Sequence, residues 1–443
     1  MAAVYFLSLG CDKNLTDSEA MLGLLQKAGH RFTDDPAEAD VIVVNTCSFI
    51  GDAKEESIRA ILDMASYKES GRCRALIAAG CLAERYQDQI LRELPELDAV
   101  LGTASYPHIT EAVETVLADK NAAPFACFDD RNALPLVRDR ILTTGGYYAY
   151  LKIAEGCDKY CTYCAIPFVR GRYRSIPMEE LEIQARALAE KGVRELILVA
   201  QETTLYGTDL YGRKALPDLL KKLEEIPGIV WIRLLYGYPE ELTEEMIETI
   251  GASGKICHYL DLPIQHAADT VLARMGRRTN RREVTDLIRR LRERIPDIAL
   301  RTTLIAGFPG ETEEEHRENL DFIREIGFDR LGVFCYSREE GTAAYKMPGQ
   351  VPKRTKERRR KELMLAQQEI AFEKARAMKG RVLTVMTEGY LPDDGVYAGR
   401  SYMDAPDVDG LVFFEDDRDR DSGSFADVRI TEARGYDLVG EVL

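Results

Sequence analysis

The sequence predicts an α/β protein in three parts. These are an open parallel-sheet N-terminal domain, a partial (β/α)6 barrel, and a small antiparallel β-barrel of OB-like kind at the C-terminus. Three observations carry this. Short apolar runs alternate with helical patterns through the first two parts, as in parallel sheets with crossover helices. Only six such strand–helix units follow residue 145, fewer than the eight that close a full barrel. Beyond Met378 the pattern becomes short alternating strands broken by Gly, Pro and Asp turns. The length, 443 residues, suits about three domains at roughly 150 residues each. Hydrophobic residues at 45% and charged residues at 30% exclude collagen-like, low-complexity and disordered chains.

In residues 1–118, VYFLSL (Val4–Leu9) precedes a helix that Asn14 or Asp17 could cap. DVIVVN (Asp40–Asn45) precedes a helical stretch from Asp52 to Tyr67, and ALIAAG (Ala75–Gly80) precedes another. Residues 119–144 read as a loop-rich linker. The second part, 145–377, offers strands at Tyr148–Ile153, Glu195–Ala200, Trp231–Tyr236, His258–Leu262, Ala299–Ile305 and Arg330–Phe334. It closes with a charged helix from about Lys353 to Arg376, and residues 378–443 form the third part.

No apolar run approaches the ~18 residues of a membrane span. The N-terminus lacks a basic leader before its apolar stretch, so a cytoplasmic address is expected. The net charge of −16 repels polyanions and attracts basic partners, although a local basic stripe can still bind phosphates. In a reducing compartment the ten cysteines serve metals or chemistry more readily than disulfides.

Cys157, Cys161 and Cys164 form a C-x3-C-x2-C cluster directly after the first barrel strand. Barrel chemistry sits at the carboxyl ends of strands. Three thiolates within eight residues can converge on one metal or cluster. A closed zinc site wants a fourth ligand, and none follows nearby. Iron–sulfur clusters normally take four thiolates, so three would leave one iron open to an exogenous molecule. A zinc knuckle with a distant ligand and uncommitted cysteines remain competing readings. Cys11, Cys47 and Cys81 each follow one of the first three predicted strands, so an open parallel sheet would gather them along one edge. Geometry alone leaves ligation and three unrelated thiols equally open. Cys73, Cys127, Cys257 and Cys335 share no such placement and read as structural.

With Tyr163 just before its third cysteine, the C-x3-C-x2-C cluster resembles the signature of radical S-adenosylmethionine enzymes. The resemblance implies a 4Fe–4S cluster on Cys157, Cys161 and Cys164, whose open iron chelates S-adenosylmethionine before reductive cleavage to a 5′-deoxyadenosyl radical. SLGCDKNLTDSE, VNTCSFI and AAGC look like the N-terminal domain of methylthiotransferases. That likeness implies an auxiliary 4Fe–4S cluster on Cys11, Cys47 and Cys81. The C-terminal module resembles the TRAM domain of the same family, so the resemblance spans essentially the whole chain. By resemblance and position, Tyr163, Gln201, Arg233, Gln265 and Arg301 are the S-adenosylmethionine contacts, and Gln201, Arg233, Gln265 and Arg301 each carry a competing reading as a buried structural hydrogen-bonder.

Within that family, GCDKNLTDSE, NTCSFI, YLDLPIQHAAD and ITEARGYDLVGEV look like the branch that modifies an aspartate of small-subunit ribosomal protein twelve, not the branch that modifies tRNA adenosine. Charge points the same way. From Lys379 to Leu443, Lys plus Arg number 7 against 15 Asp plus Glu, whereas an RNA-binding barrel should be basic. The acidic run at 415–421 suits a basic ribosomal protein, free or in a ribosomal particle, or else is a solvated loop. The basic run at 353–361 reads first as a solvated helix face and otherwise as a contact for ribosomal RNA in a ribosomal particle, and Met275–Arg282 is a weaker candidate for substrate contact. GFPGET (Gly307–Thr312) lacks the Lys-Ser/Thr of a phosphate loop, and the five histidines form no metal pair at i, i+4.

The expected chemistry is a two-cluster transfer of a methylthio group to the aspartate β-carbon, fed by an electron donor such as flavodoxin or ferredoxin. The alternatives are the tRNA adenosine branch and a non-enzymatic iron–sulfur carrier or redox-sensing module.

Overall fold

The computed structural model of the protein describes residues 1–119 and 123–443. The expected linker's residues 120–122 lie outside the described residues. The chain forms two compact units. The first comprises 1–143, 152–176 and 337–345; the second comprises 144–151, 177–336 and 346–443.

The first unit is built on a six-stranded, all-parallel sheet. Its strands are β1 (Ala3–Ser8), β2 (Arg31–Phe32), β3 (Val41–Thr46), β4 (Ala75–Gly80), β5 (Ala99–Leu101) and β6 (Phe125–Cys127), ordered β2-β1-β3-β4-β5-β6. Successive strand residues point to opposite faces. Val41, Val43 and Ile77 therefore pack with Met21 and Val113 on one side, and Ile42, Val44 and Leu76 with Ile61 and Leu82 on the other. Burial of both faces explains why β3 and β4 read as unbroken apolar runs. The short edge strand β6 comes from the stretch read as a linker.

A helix spans Asp12–Lys27 with Cys11 at its N-cap. The expectation that Asn14 or Asp17 caps this helix is corrected. Both lie inside its first turns and are buried, and the Asn14 amide donates to the Leu9 carbonyl at 2.6 Å. Strands β7 (Tyr148–Lys152), β8 (Ala154–Glu155) and β9 (Arg174–Ser175) follow, the last two paired antiparallel in the first unit.

The sheet of the second unit adds β10 (Glu195–Val199), β11 (Trp231–Leu234), β12 (Ile256–Asp261), β13 (Ala299–Ala306) and β14 (Arg330–Cys335), ordered β14-β13-β12-β11-β10-β7. These are the six expected barrel strands, and the sheet stays open. A 25-residue helix, Lys353–Ala377, leads to a closed five-stranded barrel of β15 (Val382–Leu391), β16 (Val396–Ser401), β17 (Val412–Glu415), β18 (Phe425–Arg434) and β19 (Asp437–Val442). All its pairings are antiparallel except β17–β19.

Buried charge fastens this barrel to the amino-terminal end of the open sheet. Glu195, the first residue of β10, accepts from Arg233 Nε at 2.7 Å and from Arg400 Nη2 at 2.8 Å, all three side chains being essentially inaccessible. Arg233 also donates to the carbonyls of Tyr402 at 2.6 Å and Ser401 at 3.4 Å. Asp404 accepts from Arg330, and Asp409 from the Tyr259 hydroxyl at 2.8 Å. Part of the module's acidity is thus spent inside the second unit.

Removing one member of such a set leaves uncompensated buried charge. Glu195→Ala should cost about 3–5 kcal/mol, read in urea unfolding by the fluorescence of Trp231, the chain's single tryptophan, whose ring meets Phe425 edge-on. Burial works to raise the Glu195 pKa, but Arg400 and Arg233 outweigh it and hold the carboxyl below its ordinary range. Its contribution is therefore fully present above the unfolded-state value of about 4.3 and lost as pH falls through the folded value. Glu195→Ala should correspondingly flatten the acid limb of the stability profile.

Candidate functional site: two cysteine triads

Parallel pairing places Ser8 opposite Asn45 and Thr46 opposite Gly80. Cys47 and Cys81 are thus the next residues on neighbouring strands, and Cys11 leaves β1 on the other side of β3. The three sulfurs share one electrostatic neighbourhood. Burial pushes the Cys81 thiol up to about 12, Arg170 pulls it back, and Cys47 and Cys11 raise it. Burial likewise raises Cys47, with Cys11 adding to the shift. Cys11 is exposed while the other two are buried. An iron site here must displace the Cys81 proton as it loads.

Backbone and polar side chains brace this edge. Asn45 Nδ2 donates to the Asn14 carbonyl at 2.9 Å and to Ser18 Oγ at 2.8 Å, and Thr46 Oγ1 donates to the Ala79 carbonyl at 2.6 Å. Gly80 has φ +89°, and a Cβ there would lie 2.2 Å from Asn45 Oδ1. A Cβ on Gly10, also at positive φ, would lie 2.9 Å from Cys47 Cβ. The tight packing of these glycines lets Asn45 and Cys47 sit where they do.

The second triad belongs to the same unit. Cys157 follows β7 by five residues and donates its N–H to the Gly171 carbonyl at 3.1 Å. The Cys164 N–H returns to the Cys161 carbonyl at 2.9 Å, closing a turn with a cysteine at each end and Tyr163 half-buried inside it. Cys157 and Cys161 are buried, Cys164 partly so. As donor sets, both triads are thiol-only, which fits iron–sulfur clusters with one open iron better than a closed zinc site.

Sequence reasoning missed two groups here. Arg170 is 2% exposed and donates to Cys81 Sγ at 3.4 Å, to Asn14 Oδ1 at 3.0 Å, to Asp17 at 2.7 Å and to Glu155 at 3.2 Å. Segment 337–345 touches both cysteine loops. Buried Glu339 binds Lys54 at 2.8 Å and Arg85 at 2.9 Å, Arg85 also holds the Ser48 carbonyl, and the Ala344 N–H donates to the Thr162 carbonyl at 2.7 Å. No local pattern signals either group. Arg170 follows a conspicuous motif by six residues, which is the only hint.

The expected S-adenosylmethionine contacts divide. Gln201 and Gln265 lie just past the carboxyl ends of β10 and β12, and Gln265 takes φ +71° while bridging to β13. Arg233 and Arg301 point elsewhere, which corrects their assignment. Arg233 is wholly buried, its guanidinium on Glu195, Ser401 and Tyr402. Arg301 lies at the amino end of its strand between Asp261 at 3.4 Å and Asp409 at 3.8 Å. Both arginines fasten the C-terminal barrel.

In the basic run, Arg358 and Arg359 pair with Glu313 at 2.8 and 3.3 Å. Arg277 of the Met275–Arg282 cluster is buried over the Tyr238 ring. Of the four cysteines read as structural, Cys73 and Cys257 are buried. Cys127 lies with His108 and Asp129, their ligand atoms within 4.8 Å of one another. The imidazole nitrogens there already face Glu111 at 2.9 Å and Asp129 at 3.3 Å.

Comparisons with known proteins agree with this architecture. Residues 3–102 match the model described as "Uncharacterized protein family UPF0004", 151–323 the Radical SAM superfamily and 380–443 the TRAM domain. Among solved structures, the radical S-adenosylmethionine methyltransferase TsrM from Kitasatospora setae superposes with TM-score 0.57 at 13% identity, over 77% of this chain and 73% of its own, a likeness of fold alone. The chain is a radical S-adenosylmethionine protein with a C-terminal TRAM domain. Two curated proteins named "Ribosomal protein uS12 methylthiotransferase RimO" are similar along their whole length. That of Lachnoclostridium phytofermentans is 57% identical over 99% of both chains, and that of Acetivibrio thermocellus 50% identical over 99% of this chain and 98% of its own. The chain belongs to the RimO family of methylthiotransferases, whose cofactors are S-adenosylmethionine and 4Fe–4S clusters.

The φ of Gly80 lies in a region that only glycine occupies without strain. Gly80→Ala should cost at least about 1–3 kcal/mol. The expected signs are a lowered Tm and fewer irons per chain after anaerobic reconstitution.

Proposed function

We propose that this chain adds a methylthio group to the β-carbon of an aspartate in ribosomal protein uS12. The observation that carries the proposal is the 57% identity, over 99% of both chains, to a protein named for that activity. In this reading Cys157, Cys161 and Cys164 hold the 4Fe–4S cluster that binds S-adenosylmethionine, and Cys11, Cys47 and Cys81 hold a second. Bound there, the two clusters supply reductive cleavage of S-adenosylmethionine and a site for the sulfur to be transferred. The protein's part is positional. The turn from Cys161 to Cys164 presents two thiols from one short loop, and a cluster held by three cysteines would keep one coordination position for the ligand. The edge of β1, β3 and β4 would present the second triad from three neighbouring loops. Tyr163, Gln201 and Gln265 are proposed as S-adenosylmethionine contacts.

The exposed acids Glu415, Asp417, Asp419 and Asp421 favour a basic protein partner over tRNA. The proposed setting is cytoplasmic, with a flavodoxin or ferredoxin as electron donor. Among the described residues no helix is long and apolar enough to cross a membrane.

The test offers anaerobically reconstituted enzyme, reductant and S-adenosylmethionine to uS12 and, separately, to unmodified tRNA, with products weighed by mass spectrometry. A methylthio gain on a uS12 aspartate alone is expected, and a gain on tRNA alone would overturn the reading. Cys161→Ala should abolish 5′-deoxyadenosine formation. Cys47→Ala should leave it measurable while abolishing the methylthio gain.

A further inference from the structure

We propose that Arg170 is a positioning residue for the second cluster, setting its reduction potential through a hydrogen bond to Cys81 Sγ. The proposal rests on the assignment of Cys11, Cys47 and Cys81 as ligands.

The geometry is specific. Arg170 Nη2 lies 3.4 Å from Cys81 Sγ and 3.0 Å from Asn14 Oδ1, while Nη1 lies 2.7 Å from Asp17 and 3.2 Å from Glu155. The planar fork is gripped on one side by two carboxylates and presents its other side to the sulfur. Lys152 bonds the same two carboxylates, at 2.9 Å for Glu155. Arg170 and Lys152 thus share Asp17 and Glu155, and a cluster thiolate at Cys81 would face a guanidinium already in place.

A cluster's potential responds to net charge, solvent exposure and hydrogen bonds to its sulfurs. An N–H donor on a ligand thiolate stabilises the reduced, more negative state more than the oxidised one, so Arg170 should raise the potential. Burial strengthens the effect, because little water screens it. Arg170 also lies six residues beyond Cys164, and the Gly171 carbonyl accepts from Cys157. The segment that carries one triad thus supplies the cation that bonds to the other.

The experiment uses the full chain with Cys157, Cys161 and Cys164 replaced by alanine, reconstituted anaerobically. Iron and sulfide are counted per chain, and the midpoint potential is followed by absorbance and electron paramagnetic resonance. In this background Arg170→Met should hold the same iron at a more negative midpoint, with Arg170→Lys between it and the unsubstituted protein. Asp17→Asn, which leaves the guanidinium under-compensated, should shift the midpoint the other way. Full iron content with unchanged midpoints would overturn the proposal. If Arg170→Met cannot hold iron, Arg170→Lys and Asp17→Asn carry the test, and loss of iron in all three would overturn it by making Arg170 a structural pin. Adding Cys81→Ala separates the two failures: iron content that does not fall refutes the ligand assignment itself.

Discussion

The parallel register of β1, β3 and β4 is the constraint on which the rest of the first unit depends. Thr46 pairs with Gly80 and Asn45 with Ser8, so three loops leave the sheet side by side. Parallel strands lie about 4.8 Å apart, and their carboxyl ends face one way. Cysteines separated by more than thirty residues in sequence are thereby brought to one edge. A one-residue slip of β3 would turn its apolar residues to the wrong faces, and both packed faces oppose that slip.

Buried charge serves two different ends in the molecule. In the second unit, Glu195 with Arg233 and Arg400 fastens the C-terminal barrel to the open sheet, which is an architectural role. In the first unit, Arg170 is held by Asp17 and Glu155 but has a donor left for a sulfur. Both sets satisfy the rule that buried charges are paired and hydrogen-bonded. The remaining acceptors separate them, backbone carbonyls for Arg233 and a thiol sulfur beside the Asn14 amide oxygen for Arg170.

Much of this was legible in the chain. The apolar runs of β1, β3 and β4 and the six strands from β7 to β14 follow from hydrophobic patterning, with ends displaced by a residue or two. The C-x3-C-x2-C spacing is local, so its three thiols declare themselves without a fold. Cys11, Cys47 and Cys81 were legible only through the strands before them. The shortest strands were not: β2, β5 and β6 have two or three residues each, too few for any period to show.

The sequence by itself determined where the longer strands lie, which cysteines share a loop, and that the C-terminal module is acidic, because these depend on composition and short-range spacing. Only the tertiary structure decided the use of the buried polar residues. Arg233 and Arg301 carry the charge suited to a carboxylate ligand, yet Arg233 is held by Glu195, the first residue of β10, and Arg301 lies between Asp261 and Asp409. Arg170, with nothing local to mark it, lies against Cys81. A guanidinium ends a long flexible stem, and its partner is whichever acceptor the packed fold brings within hydrogen-bonding distance, 169 residues along the chain for Arg233 and Tyr402.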